Sequence, residues 1–127
     1  MEKLKKTEAG LISVIIPTKN EQAAIEEVLI SLRQHLPHAE VIVVDDGSTD
    51  ATADLAHVAG ATVVSHPYSK GNGAAIKTGV RHAHGEVLVF MDGDGQHRGA
   101  EIPKLLALID QGYDMVVGAR SGDGQAN

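Results

Sequence analysis

Val87-Leu88-Val89-Phe90-Met91-Asp92-Gly93-Asp94-Gly95-Gln96-His97 is the stretch from which the rest of the chain is read. An apolar, valine-rich run leads straight into two aspartates spaced i, i+2, with Gly85 before the run and Gly93 after it. So short and continuous an apolar segment reads as a strand buried on both faces, as in a parallel sheet. The aspartates then stand at its carboxyl end, where open α/β sheets place their ligands. On near-extended backbone, side chains at i and i+2 share a face. Two carboxylates held there repel each other unless a cation lies between them. Hard oxygen ligands of this kind suit Mg²⁺ or Mn²⁺, and Gln96 can add an amide oxygen. The bland reading is a polar turn closing a strand, as Asp-Gly pairs often do. Asp-x-Asp is common by accident, so the tripeptide alone does not choose between the two.

The chain has 127 residues, enough for one domain with a real core. It is 43 % hydrophobic and 22 % charged, ordinary for a globular protein. Aromatics are confined to Phe90, Tyr68 and Tyr113, so the core must be aliphatic. A formal net charge of −6 argues against nucleic acid or an anionic membrane as partner. An anionic small ligand would need a mediating cation, which fits the carboxylate pair. There is no cysteine, which excludes disulfides and thiolate metal sites and suits a reducing cytoplasm. No apolar run approaches the roughly 20 residues of a membrane span. Residues 1–10 are charged, lack the apolar core of a signal peptide and are expected to be mobile.

Outward from the opening stretch, strand and helix patterns alternate. Leu11 to Ile16 reads as a first buried strand stopped by Pro17, with the polar loop Thr18-Lys19-Asn20-Glu21 after it. Ile25, Val28, Leu29, Leu32 and Leu36 then fall on one helical face, closed by Pro37. Val41 to Val44 is a second strand, ending in Asp45-Asp46-Gly47-Ser48-Thr49-Asp50. Gly47 permits a tight turn there, and Ser48 or Thr49 can cap the next helix. Leu55, Val58 and Ala59 mark that helix, and Gly60 ends it. Ala61 to Ser65 is a third strand. Lys70-Gly71-Asn72-Gly73 precedes a small-residue helix with Ile76, Val80 and Ala83 on one side. Gly79 within it costs about 1 kcal/mol against Ala, which points to close packing on the sheet. Beyond His97, Ile102, Leu105, Leu106 and Ile109 predict another helix, with Pro103 in its first turn and Gly112 at its end. Met115 to Val117 is a fifth strand, and residues 121–127 form a flexible tail. The alternation predicts an α/β chain: a three-layer α/β/α, mostly parallel sheet, with the domain spanning residues 11–120.

Right-handed crossovers bring the polar clusters Pro17–Glu21, Asp45–Asp50 and Asp92–Gln96 to one sheet edge. Asp46 can accept hydrogen bonds from a base or ribose; alternatively Asp45 or Asp46 caps the following helix. Glu21 divides in the same way between ligand and first-turn acid. Lys70-Gly71-Asn72-Gly73 offers backbone N–H groups as an anion nest, or is simply a loop needing positive φ. Arg120 pairs with a diphosphate or is a solvated tail residue. His97 alone among the seven histidines lies beside the site. His35, His38, His57, His66, His82 and His84 read as surface residues.

Three segments together resemble the family-2 inverting glycosyltransferases, and within them the polyprenyl-phosphate (dolichyl-phosphate mannosyltransferase-like) sugar synthases. They are Ser13-Val14-Ile15-Ile16-Pro17-Thr18-Lys19-Asn20-Glu21, Val43-Val44-Asp45-Asp46-Gly47-Ser48-Thr49-Asp50 and Met91-Asp92-Gly93-Asp94-Gly95-Gln96-His97. Val117-Gly118-Ala119-Arg120 matches more loosely. The resemblance implies the Rossmann-like nucleotide-binding half of a GT-A fold. It implies that Pro17, Lys19 and Glu21 line a nucleotide pocket and that Val44 and Asp46 hold base and ribose. Asp92, Gly93, Asp94 and Arg120 would contact the sugar nucleotide, with Asp92, Asp94 and Gln96 holding Mg²⁺ or Mn²⁺ against the diphosphate. The implied partners are a UDP- or GDP-sugar donor and an acceptor such as polyprenyl phosphate. The implied location is the cytoplasm or the cytoplasmic face of a membrane. Lys19 departs from the pattern where an aromatic is frequent, and Arg98-Gly99 departs where a proline-containing turn is usual. Members of the family are longer, so this chain is expected to be a donor-binding part, with a sheet edge near Val117 available for self-association.

Other classes account for less. A truncated, non-catalytic nucleotide-sugar-binding module would use the same residues without transfer. A phospho-acceptor signalling domain also gathers aspartates at strand ends, but not as Asp-Gly-Asp after a late strand. A dinucleotide oxidoreductase would need the glycine fingerprint after the first strand, which is missing.

Overall fold

A computed structural model describes residues 12–91 and, for the backbone, residues 115–117. In order they form β1 (Ile12–Thr18), α1 (Ile25–His35), β2 (Glu40–Asp45), α2 (Thr52–Val58), β3 (Thr62–Ser65), α3 (Asn72–His82), β4 (Val87–Phe90) and β5 (Met115–Val117). The strands make one sheet in the order β3-β2-β1-β4-β5. Every neighbouring pair is parallel. The helix expected between β4 and β5, and both terminal segments, lie outside the described residues.

The strands are β-branched runs because both sheet faces are covered. Alternate side chains supply the two layers. Ile12, Val14 and Ile16 of β1 join Val41 and Val43 of β2 and Val87 and Val89 of β4 under α1 and α2. Ile42 and Val44 face the other way, with Ala75 of α3. The periodicity of α1 is realised: Ile25, Val28, Leu29, Leu32 and Leu36 are all buried.

In two helices part of the expected apolar face turns outward, although Leu55, Ala59 and Ala83 do pack against the core. In α2 the inward residues are Thr52 and Ala56, flanked by Leu55 and Ala59, while Val58 is 80 % exposed. In α3 the buried positions are Ala75 and Gly79, and Val80 is 41 % exposed. Small side chains let α3 sit close enough to the sheet for Gly79 to touch Ile15. The apolar residues Val58 and Val80 carried the sequence pattern, but packing distance selected the smaller ones.

β1 continues through Pro17 rather than stopping before it, pairing Pro17 with Val44 and Thr18 with Asp45. The direction of the missing donor explains this. Ile15 faces β4, since its carbonyl accepts the Met91 N–H at 3.1 Å, and Thr18 faces β2, since its carbonyl accepts the Asp46 N–H at 2.8 Å. Pro17 therefore turns its nitrogen toward the β4 side, beyond the Ile15–Phe90 pair that ends the register there. Among the described residues no helix is long and apolar enough to cross a membrane.

Candidate functional site

All the carboxyl ends lie at one sheet edge because the strands are parallel. β2 lies on one side of β1 and β4 on the other. The point where strand order reverses therefore falls between β1 and β4, which is where open α/β sheets leave a crevice for a ligand. Of the residues expected to line it, Lys19 is exposed, and Pro17 and Glu21 are half-buried just past the middle of this edge. Val44 is fully buried at 0 % exposure, its carbonyl accepting the Thr18 hydroxyl at 3.5 Å. Asp46 is only 7 % exposed. Asp92, Gly93, Asp94, Gln96, His97 and Arg120 lie outside the described residues; Met91, held to β1, directly precedes Asp92 in the chain.

The loops after β1 and β2 are stitched to each other by side chains. Asn20 donates its backbone N–H to Ser48 Oγ at 2.8 Å, and its Oδ1 accepts the Thr49 N–H at 2.8 Å. Gln22 Oε1 accepts the Ala51 N–H at 3.0 Å, and the Glu21 N–H donates to Thr52 Oγ1 at 2.8 Å. Asn20 takes φ of +53°, a conformation Asn tolerates better than most residues. Ser48 and Thr49 thus serve the neighbouring loop and do not cap α2. Asp50 does the local work, accepting the Thr52 N–H at 2.9 Å and the Thr52 hydroxyl. The hydrogen bond from that hydroxyl holds the Asp50 carboxyl below its ordinary range.

Asp46 is the hub of the edge. Its Oδ1 accepts the Lys70 N–H and the proton on His66 Nδ1, both at 2.8 Å, and its Oδ2 accepts the Gly71 N–H at 2.9 Å. Its carbonyl accepts the Ser69 hydroxyl at 2.8 Å. Burial pushes this carboxyl up, but the His66, Lys70 and Gly71 donors outweigh it and hold the group below the ordinary carboxylate range. The amides of Lys70 and Gly71, read from sequence either as an anion nest or as a loop needing positive φ, are taken by the protein's own carboxylate, and Gly71 has φ of +102°. Gly47 makes this wrapping possible. It has φ of +77°, and a Cβ there would stand 2.7 Å from the Ser69 nitrogen. On the rim of the same loop, Lys70 Nζ lies 5.4 Å from the centre of the exposed Tyr68 ring.

Repulsion among the acids of the second cluster is relieved by these donors, with Asp45 Oδ1 also accepting the Ser48 N–H at 3.3 Å. A cation is not needed for that purpose. Among the described residues no group of three or more His, Cys, Asp or Glu could hold a metal ion. Asp92, Asp94 and Gln96, outside the described residues, carry the hard oxygen donors that a divalent ion takes.

The sequence profile of the Glycosyl transferase family 2 matches residues 13–127. The chain belongs to this family. Protein RfbJ of Shigella flexneri is 38 % identical over 117 residues, which are 91 % of this chain and 90 % of RfbJ. The dolichol-phosphate mannosyltransferase of Pyrococcus furiosus is 37 % identical over 115 residues, 86 % of this chain and 33 % of that protein. Among solved structures, the glucosyl-3-phosphoglycerate synthase of Mycobacterium tuberculosis with Mn²⁺, UDP and glucosyl-3-phosphoglycerate superposes with a TM-score of 0.71 at 33 % identity. That match covers 84 % of this chain and 42 % of the synthase. The chain thus spans nearly all of RfbJ but less than half of the mannosyltransferase or the synthase. The parallel α/β architecture expected from the sequence is the one the chain shares with that synthase over the matched region.

In this family-2 chain, one residue of the edge was misread from sequence. His66 is not at the surface: it is 9 % exposed, bonded to Asp46 through Nδ1 and to Thr78 Oγ1 through Nε2 at 2.8 Å. Its position directly after a strand, level with Asp45 and Asp46, was the available signal.

Proposed function

We propose that this chain is the donor-binding part of a glycosyltransferase, taking a UDP- or GDP-linked sugar through Mg²⁺ or Mn²⁺. The full enzyme would transfer the sugar with inversion to a polyprenyl phosphate or another glycan or lipid acceptor, on the cytoplasmic side. The observation that carries this reading is the meeting of the loops after β1 and β2 beside the end of β4, at the reversal of strand order. Family membership and the Mn²⁺ and UDP of the structurally similar synthase support it.

In this reading the stitched loops are a preformed wall. Pro17, Lys19 and Glu21 line the nucleotide pocket, and Val44 and Asp46 shape its base and ribose end. Asp46 Oδ2 accepts one hydrogen bond among the described residues, and a carboxylate oxygen can accept two. Asp92, Asp94 and Gln96 would hold the ion, with Gly93 contacting the sugar nucleotide and Arg120 pairing with its diphosphate. The bound metal stabilises the negative charge that develops on the leaving diphosphate. An ionised phosphate acceptor attacks the anomeric carbon from the opposite face and needs no general base.

The test is a titration of UDP and GDP into the chain with Mn²⁺ and then with EDTA, repeated for Asp92→Ala and Asp94→Ala. Metal-dependent binding that both substitutions weaken is expected. Absence of binding by either nucleotide, or binding indifferent to both substitutions and to chelation, rejects the proposal. Incubating the chain with donor and acceptor separates a transferase from a binding module, since the module gives neither transfer nor donor hydrolysis.

A further inference from the structure

Asp46 faces the donor site in the reading above, yet three of its hydrogen bonds go to the protein. What it does for a ligand is therefore done largely by holding the chain around it. His66 determines how it is held. The His66 N–H donates to the Asp45 carbonyl at 2.8 Å, extending the β2–β3 ladder by one residue and fixing where the ring starts. The far end of the ring meets Thr78 of α3 at 2.8 Å. An ionised carboxylate only accepts, so Nδ1 carries a proton toward Asp46. In the neutral ring Nε2 is then the acceptor and the Thr78 hydroxyl the donor. The ring is held at one end by α3 and at the other by the residue directly after β2, and cannot turn without losing a hydrogen bond.

The consequence reaches the rim. Oδ1, whose direction His66 fixes, also accepts the Lys70 N–H, and Oδ2 accepts the Gly71 N–H. Ser69 closes the wrap on the Asp46 carbonyl. The exposed Lys70 and Tyr68 side chains ride on this segment. We propose that His66 is a positioning residue: through Asp46 it sets the Lys70–Gly71 main chain, and so the nucleotide-facing rim beside β2. This rests on the donor-site reading for its ligand, though not for its geometry.

The experiment compares His66→Asn with His66→Gln. Asparagine places an amide N–H near the position of Nδ1 and can still donate to Asp46. Glutamine reaches toward Thr78 and does not replace that donor. Amide proton shifts of Lys70 and Gly71 report the bonds to the carboxylate, and titration with UDP and GDP in Mn²⁺ reports affinity. In wild type both amides are expected downfield. His66→Asn keeps them there and keeps affinity within about twofold. His66→Gln moves both upfield and weakens binding about tenfold, the scale of one hydrogen bond to a charged group. Thermal melts of both variants register any purely structural loss. If the two variants give the same amide shifts and the same affinity, the proposal is overturned. If wild type binds neither nucleotide, the donor-site reading fails by itself, and the amide contrast alone supports or overturns the positioning role.

Discussion

Gly79 of α3 packs on Ile15 of β1 so closely that a Cβ at Gly79 would overlap Ile15 Cγ2. The contact fixes the height of α3 above the sheet, and with it the position of Thr78 under His66. Gly79→Ala gains about 1 kcal/mol of helix propensity, but forcing a methyl into this contact costs roughly 1–3 kcal/mol. A net loss is expected in urea denaturation. Pairing it with Ile15→Ala should give a double-mutant cycle well short of additive, because the second substitution removes the atom being struck.

Asn20 performs two tasks that substitution can separate. Its φ of +53° suits Asn or Gly, and its side chain accepts the Thr49 N–H at 2.8 Å. Asn20→Gly keeps the conformation but loses the acceptor for the Thr49 N–H and hydroxyl and some backbone entropy, together about 1 kcal/mol. Asn20→Ala loses the bond and adds roughly 1–2 kcal/mol of backbone strain. Equilibrium unfolding should rank wild type above Gly and Gly above Ala; equal losses would show that the loop relaxes out of this conformation.

Gly47→Ala combines positive φ with a Cβ 2.7 Å from the Ser69 nitrogen. Backbone strain of this kind is worth about 1–3 kcal/mol, and here relief would come by pushing the 68–71 segment off Asp46. The expected result is a lower melting temperature together with upfield movement of the Lys70 and Gly71 amides. An unchanged amide pair would mean that the segment does not yield.

The acid limb of stability carries the signature of Asp46. Its folded carboxyl lies below the ordinary value near 3.8, so the unfolded state binds protons first as pH falls. The stabilisation is complete above that ordinary value and is lost as pH drops through the lower folded one. Glu40 is also lowered: burial raises it, but the His84 amide and ring and the Ser13 hydroxyl outweigh this. Asp46→Asn should flatten only its own share of the decline in denaturation midpoint as pH falls through and below the ordinary carboxylate range, leaving the Glu40 share in place. A variant curve parallel to wild type would remove Asp46 from the acid transition.

The alternation of strands and helices was plain in the sequence because β-branched runs and the five-residue stripe of α1 admit one reading each. The convergence of the loops after β1 and β2 followed from parallel topology alone. The inward faces of α2 and α3 were legible only in part, at Leu55, Ala59 and Ala83. Burial there goes to Thr52, Ala56, Ala75 and Gly79, residues without hydrophobic signal whose merit is size. His66 was hidden for a related reason: a histidine is buried or exposed according to partners that lie 20 and 12 residues away. Asp46 was recognised as important, but whether its partners were ligand or protein depended on a loop whose path no periodicity describes.

Pro17 has a consequence for how the sheet is bounded. In a parallel ladder a residue facing β4 after Ile15 would offer its N–H to the carbonyl of Met91, and a proline has none to offer. Proline thus withholds one donor from the zipper between the two strands, at the carbonyl of the residue before Asp92. A residue with an N–H at position 17 would supply that donor and tie the two strands together by one more rung.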